Sequence, residues 1–224
     1  MSDDSASSPQ SYRVTLRRRG IPTVTRPRDI WPLIHAERAA LADDLAELTD
    51  EQWTTPSLCE GLSVREVLAH ITVAAGIGPM NWLAGVIRAR FDFDRQVAER
   101  LATRLGATPQ ETLAAFRAVV ASRTKPPLPV VAMLGEAIVH GEDIRRPLGI
   151  RRAYPIETLT LLAEYYSHSN LMLDSKQHVQ GVRLIATDGP FRYGTGPEVT
   201  GTTLALTMAM TGRKGYWEEL TRTG

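Results

Sequence analysis

Apolar residues recur at helical spacing through most of the chain, and this periodicity constrains the fold more than any other feature. Residues three and four positions apart lie on one face of a helix, so the repeat predicts amphipathic helices that pack together. Local signals support it: Ser63 stands three residues before Glu66 as a capping box, and Pro109 follows Thr108 at a helix start. The predicted helices cover about residues 30–48, 64–88, 92–105, 109–122, 130–146 and 155–173. We therefore expect a mainly α protein with a bundle of four or more helices.

The two ends of the chain differ from this helical body. Beyond Gly181 the sequence predicts two short strands, at 182–187 and 191–194, and a closing helix at 202–211. Residues 1–29 are rich in Ser, Asp, Pro and Arg and offer little apolar surface to bury, which predicts disorder. We therefore expect three parts. They are a disordered tail at 1–29, a helical bundle at 30–175 and a small α+β C-terminal lobe at 176–224.

Composition and charge exclude several classes of protein. The 224 residues include 26 Lys and Arg against 25 Asp and Glu, and this net charge of +1 argues against a nucleic-acid binder. No apolar stretch reaches the roughly 18 residues of a membrane span, and the polar N-terminus does not resemble a signal peptide. The single cysteine, Cys59, can form no intramolecular disulfide. We expect a cytoplasmic protein, monomeric or homodimeric, with small molecules rather than nucleic acid or membrane as partners.

Three polar residues lie within the two most apolar predicted helices. His70 stands among valine and isoleucine residues on the second helix. Glu136 and His140 are four positions apart, so they share one face of their helix and are separated by one turn. Met133 and Ala137 lie on the same face, which is therefore predicted to point into the bundle.

A carboxylate on such a face costs on the order of several kcal/mol unless a cation neutralises it. Together with His70 from a facing helix, Glu136 and His140 form a set of two imidazoles and one carboxylate. This set suits zinc with an open fourth position, and equally ferrous iron or another first-row ion. Two plainer interpretations remain open. The Glu–His pair can be an exposed helical contact, and His70 can be a hydrogen-bonded core residue.

Two segments resemble a known protein family. The first runs from Trp53 to His70 and contains Pro-Ser-Leu-Cys-Glu-Gly, followed by a helix that ends in Leu-Ala-His. The second runs from Glu136 to Gly149 and contains Glu-x-x-x-His-x-x-Asp, followed by Pro-Leu-Gly. On these segments the chain resembles the mycothiol-dependent maleylpyruvate isomerase family of the DinB-like superfamily. The similarity covers about residues 30–150 and is weaker in the C-terminal lobe.

The resemblance implies a DinB-like four-helix bundle with metal ligands at His70, Glu136 and His140, and zinc as the expected metal. It also implies mycothiol or a similar low-molecular-weight thiol as cofactor, in an isomerase or thiol S-transferase that acts on a small electrophile. In such an enzyme the metal keeps the thiol deprotonated, and the thiolate attacks the electrophile. The alternative is a non-catalytic metal-binding module for stress response or ligand binding, in which a fourth protein ligand closes the metal shell.

Three further residues are candidates for supporting roles. Cys59 precedes a predicted helix N-terminus, where a thiolate is favoured, or is a small packed residue. Asp143 either orients a ligand imidazole or pairs with Arg145 or Arg146. Arg213, after the closing helix, is the candidate catalytic residue, because its planar guanidinium can hold an anionic group of cofactor or substrate. The plainer interpretation of Arg213 is an interaction with the helix dipole.

Overall fold

The computed structural model describes residues 29–88, 101, 103–169, 175 and 179–223. The predicted tail up to residue 28 and most of the helix predicted at 92–105 lie outside the described residues. The helices before the first strand are α1 (Trp31–Asp44), α2 (Asp50–Thr54), α3 (Val64–Gly76), α4 (Pro79–Arg88), α5 (Pro109–Arg117), α6 (Val130–Arg145) and α7 (Ile156–His168). The elements after them are β1 (Arg183–Ala186), β2 (Arg192–Gly194), β3 (Glu198–Gly201), α8 (Thr203–Met210), a 3-10 helix (Lys214–Glu219) and β4 (Thr221–Thr223). None of the described helices is long and apolar enough to cross a membrane.

The helix predicted at 64–88 is two helices, α3 and α4. Its start is as predicted, because the side chains of Ser63 and Glu66 each accept a hydrogen bond from the other's backbone N–H. After Gly76 the chain is extended at Ile77, and α4 begins at Pro79. Proline lacks a backbone donor and disfavours helical geometry in the residue before it, so α3 ends ahead of it.

Four of the described helices, α1, α3, α5 and α6, pack against one another and form the bundle. One buried core lies inside this bundle and includes Leu41, Leu68 and Phe116. A second core joins the bundle to the C-terminal part and includes Ile34 and Leu162. The predicted mainly α fold with a small α+β lobe is confirmed.

The C-terminal lobe is built on a four-stranded sheet in the order β2-β1-β3-β4. β1 pairs parallel with β3, whereas the β1–β2 and β3–β4 pairs are antiparallel. α7 packs mainly against α8 and also contacts α6, so it links the lobe to the bundle. The domain boundary near residue 175 remains a prediction.

Candidate metal centre

The structure brings the three predicted ligands together where α3 faces α6. His70 Nε2 lies 3.4 Å from Glu136 Oε2, and His140 Nε2 lies 3.6 Å from the same oxygen. The two imidazole rings are nearly perpendicular, at 73°, with their centroids 4.8 Å apart. One donor atom from each residue can be chosen so that all three lie within 4.8 Å of one another. The arrangement can therefore accommodate one ion between two imidazoles and a carboxylate.

The Glu136 carboxylate lacks the hydrogen bonds that a buried oxygen normally has. Its Oε2 atom is buried and has no hydrogen-bond partner in the described part of the chain. Burial opposes ionisation, but the charges of His140 and His70 outweigh it and lower the pKa of Glu136 to about 2. Burial also opposes protonation of His70, yet contact with Glu136 raises the pKa of this imidazole above its ordinary value. A buried carboxylate oxygen facing two imidazole nitrogens is an environment that a divalent cation fits.

Asp143 holds the His140 ring in place. Its fully buried carboxylate accepts a hydrogen bond of 2.9 Å from His140 Nδ1 and two more, of 3.0 and 2.7 Å, from Arg213 Nε and Nη2. Despite its burial, these hydrogen bonds lower the pKa of Asp143. Because an ionised carboxylate can only accept, His140 Nδ1 carries a proton and donates it to Asp143, and Nε2 is the nitrogen that faces Glu136. A carboxylate that orients a histidine in this way is typical of metal sites.

The described partners of Asp143 decide between the two interpretations of this residue. Arg145 pairs with Asp44 and Arg146 with Glu219, so neither is the partner of Asp143. Arg213 takes that position, with Nη1 donating to the Thr211 carbonyl at 2.7 Å. Its planar fork is therefore engaged by a protein carboxylate. Its side chain also borders the cavity beside the cluster, and a direct role with cofactor or substrate remains a prediction.

A cavity of about 170 Å³ opens beside the cluster, between α6 and α7. It is bordered by all three predicted ligands, by Arg213 and by small and apolar residues of α6. Tyr165 and Tyr166 of α7 complete the wall. Burial and the charge of Glu136 raise the pKa of Tyr166, whose hydroxyl stays protonated. Neither tyrosine could be predicted from the sequence, because only the packing of α7 on α6 brings them to the cluster.

Cys59 lies near the cluster, in surroundings that disfavour its thiolate form. Its Sγ belongs to a second group of possible ligand atoms, with His140 and Asp143, all within 4.8 Å of one another. Burial and the charge of Asp143 raise the pKa of the thiol, despite the opposing charge of Arg213. Burial beside a carboxylate therefore favours the interpretation of Cys59 as a small packed residue, and a reactive thiolate at this position remains a prediction.

Comparison with protein families gives the relationship of the chain to known proteins. Residues 34–127 match the model of the mycothiol maleylpyruvate isomerase N-terminal domain. This match places residues 34–127 in the family of mycothiol maleylpyruvate isomerase N-terminal domains. The family expected from the two sequence segments is thus confirmed, and the matched residues include His70. No curated protein is similar enough in sequence to count as a relative.

Two solved structures share the fold. One is a mycothiol-dependent maleylpyruvate isomerase, with a TM-score of 0.59 and 15% sequence identity. The other is a histidine-to-alanine mutant of a mycothiol-dependent maleylpyruvate isomerase, with a TM-score of 0.59 and 14% identity. Each comparison covers 86% of this chain and 91% of the other. The shared fold therefore extends beyond the matched residues 34–127.

Proposed function

We propose that the protein is a metal-dependent, mycothiol-type thiol-dependent enzyme that acts on a small electrophile, as an isomerase or a thiol S-transferase. The observation that carries the proposal is the cluster of His70, Glu136 and His140 beside a cavity large enough for a small ligand. The family name and the titles of the similar structures support mycothiol as the thiol and isomerisation as the reaction. The expected partners are small molecules, and we propose a cytoplasmic monomer or homodimer.

The metal would be held by His70, Glu136 and His140. Two imidazole nitrogens and one carboxylate leave a coordination position open for a ligand in a four-coordinate zinc site, and zinc is the metal that we propose. When bound, such an ion would keep a thiol deprotonated near neutral pH. The orphaned Glu136 oxygen supports this assignment, because a bound cation would give this buried atom the partner that it lacks among the described residues.

The remaining residues prepare the cavity for a ligand. Asp143 keeps the His140 proton on Nδ1, and Arg213 anchors Asp143 through two hydrogen bonds. The side chain of His140 is only 15% exposed and that of Arg213 only 10% exposed, so their contacts with Asp143 are shielded from water. A ligand that enters the cavity would therefore meet polar groups already oriented by the fold, which reduces the free energy that binding must spend on ordering them.

A non-catalytic metal-binding module is the second candidate, and Cys59 is the observation that favours it. The thiol lies close enough to His140 and Asp143 to belong to the same group of possible ligand atoms. If Cys59 became a protein ligand, it could occupy the position that a thiol cofactor needs. Its raised pKa opposes that coordination, but a metal can overcome such a barrier.

Cobalt-substituted protein distinguishes the two candidates, because a sulfur ligand gives cobalt a charge-transfer band. The enzyme proposal predicts no such band until mycothiol is added, in the wild type and in Cys59→Ser alike, and mycothiol-dependent turnover of maleylpyruvate or another electrophile. A band without added thiol that disappears in Cys59→Ser, together with no response to mycothiol, would contradict the proposal. That result would instead favour a closed, structural site.

A further inference from the structure

A second cavity, of about 560 Å³, lies at the C-terminal end of α6. Its wall is formed by the last turn of α6 and the residues that follow it, by Leu204 of α8 and by the 3-10 helix. None of the described residues borders both this cavity and the one beside the predicted metal ligands. Small-molecule sites typically have volumes of about 300–1,000 Å³. The second cavity therefore has room for a ligand of its own.

Three arginines border this second cavity, namely Arg146, Arg151 and Arg152. Arg151 is exposed and forms no ion pair or hydrogen bond with another described residue. Arg152 donates to Glu37 through Nε and Nη2, at 2.6 and 3.1 Å, and these two contacts do not use its Nη1 group. Guanidinium groups bind anions that carry several oxygens through paired hydrogen bonds. The border of the cavity thus offers charged donors to an anionic ligand.

Arg146 is held in place by contacts with the 3-10 helix. Its Nη2 donates to the Gly215 carbonyl at 2.9 Å, and its Nη1 pairs with Glu219. Its Cζ lies 4.0 Å from the centre of the Tyr216 ring. A guanidinium fixed in this way loses little conformational freedom when a ligand binds beside it.

The two carboxylates that border the cavity are already engaged by the protein. Both Glu142 oxygens accept hydrogen bonds, at 2.5 Å from the Tyr154 hydroxyl and at 2.7 Å from that of Tyr216. Glu142 is only 6% exposed, and Glu219 takes part in the ion pair on the 3-10 helix. Arg151 therefore contributes a positive charge at this border that no described carboxylate neutralises by direct contact.

The size and the apolar wall of the cavity indicate what accompanies the anionic group. Ile150 and Leu204 border the cavity beside the arginines, and a lone inorganic anion would leave most of the 560 Å³ empty. A phosphate group presents three acceptor oxygens, which suits donors from more than one guanidinium better than the two oxygens of a carboxylate. The ligand that uses all of these features carries a phosphate and a small organic group.

We propose that this second cavity binds a phosphorylated small molecule, with its phosphate on Arg151 and Arg152 and its organic part against Leu204. The proposal is independent of the proposed function, because it uses neither the metal ligands nor the thiol. It assigns the protein a second ligand, bound at the other end of the helix that carries Glu136 and His140.

Calorimetric titration of the full chain with phenyl phosphate tests the proposal, with inorganic phosphate and phenol as comparison ligands. Phenyl phosphate should bind more tightly than inorganic phosphate, because only the organic ligand reaches the apolar wall, and phenol should not bind. Arg151→Gln removes a charged donor without breaking a described contact, so the affinity for phenyl phosphate should fall about tenfold. The matched control is Arg192→Gln, which removes an exposed arginine of β2 that does not border the cavity and should leave the affinity unchanged.

Two further variants locate the bound ligand. Leu204→Ala should bring the affinity for phenyl phosphate closer to that for inorganic phosphate, because it removes apolar wall. His140→Ala should bind phenyl phosphate as the wild type does, and loss of binding in this variant would place the ligand at the metal cluster and overturn the proposal. Wild-type affinity in Arg151→Gln, or no binding by the wild-type protein, would overturn it as well. Equal affinity of the wild type for inorganic phosphate and phenyl phosphate would overturn the assignment of an organic ligand.

Discussion

Replacement of Asp143 by Asn should weaken metal binding by a predictable amount. The carboxylate is fully buried and accepts three hydrogen bonds, one from His140 and two from Arg213. An amide of the same size has one oxygen, and its NH₂ group would face a donor on one side. Removal of a partner that orients a metal-binding histidine typically lowers metal affinity about 10- to 100-fold. That change corresponds to about 1.4 to 2.7 kcal/mol of binding free energy.

The same substitution should also destabilise the fold, because the Arg213 guanidinium would lose its buried counter-ion. Breaking one side of such a pair costs about 3–5 kcal/mol of unfolding free energy. Metal affinity is measured by competition with a chromophoric chelator, and stability by denaturant unfolding of the metal-free protein. The control is Asp44→Asn, which disrupts the Asp44–Arg145 ion pair outside the cluster and should leave metal affinity unchanged. Wild-type metal affinity in Asp143→Asn would refute the orienting role, even if stability fell.

Three further predictions concern single groups of the site and its supporting helix. Arg213→Lys keeps the positive charge but loses one of the two hydrogen bonds that the planar guanidinium donates to Asp143. Turnover should therefore fall about tenfold, roughly 1.4 kcal/mol, while metal content stays unchanged. Unchanged turnover would remove Arg213 from the active site. Metal affinity should rise with pH until the raised pKa of His70 is passed, because the His70 proton must leave before the metal binds. The stability of the metal-free fold should show the opposite trend: the His70 imidazolium stabilises it most below pH 6.5, and this effect is lost as pH rises through the raised pKa. Chelator competition measures the first trend and denaturant unfolding the second, both between pH 5 and 8. Cys59 should react with iodoacetamide more slowly than a free thiol at pH 7, because its pKa is raised, and a faster rate would contradict this effect of burial. 

The helical part of the fold could be predicted because its signals are local. The capping box at Ser63 and the apolar repeat of α6 depend on neighbours within a few residues, and both are present as expected. The strands β3 and β4 have only four and three residues, too short to show a period. Their position depends on pairing with distant residues, such as Val199 with Leu184 and with Arg222. Such pairing is not visible in the sequence pattern.

Two charged residues on α1 are buried although the sequence pattern predicts that they are exposed. Helical spacing places Glu37 and Arg38 between apolar positions, yet they are only 5% and 1% exposed. Glu37 accepts two hydrogen bonds from Arg152, which lies 115 residues further along the chain. Arg38 donates to the Ser122 carbonyl at 3.0 Å, and burial lowers its pKa to about 10. A charged residue can thus be buried when a distant part of the chain supplies its partner.

In the candidate site too, some residues could be predicted from the sequence and others only from the tertiary structure. The three metal ligands could be predicted because a polar residue on an apolar helix face is unfavourable unless it has a partner. The roles of Asp143 and Arg213 required the tertiary structure, since the two residues are 70 positions apart and each had another reasonable partner. Tyr166 gave no local signal, because its place beside the cluster depends on the fit between the surfaces of α6 and α7.

Metal content of the purified protein tests the central claim most directly. Elemental analysis of the wild type after exposure to zinc and removal of excess metal should find about one ion per chain. His70→Ala and His140→Ala should lose most of it, while their helical circular-dichroism signal persists. His35→Ala, which removes another half-buried imidazole that contacts the Ser122 carbonyl, should retain the metal. Full metal retention in both ligand variants would contradict the assignment of the site to His70, Glu136 and His140.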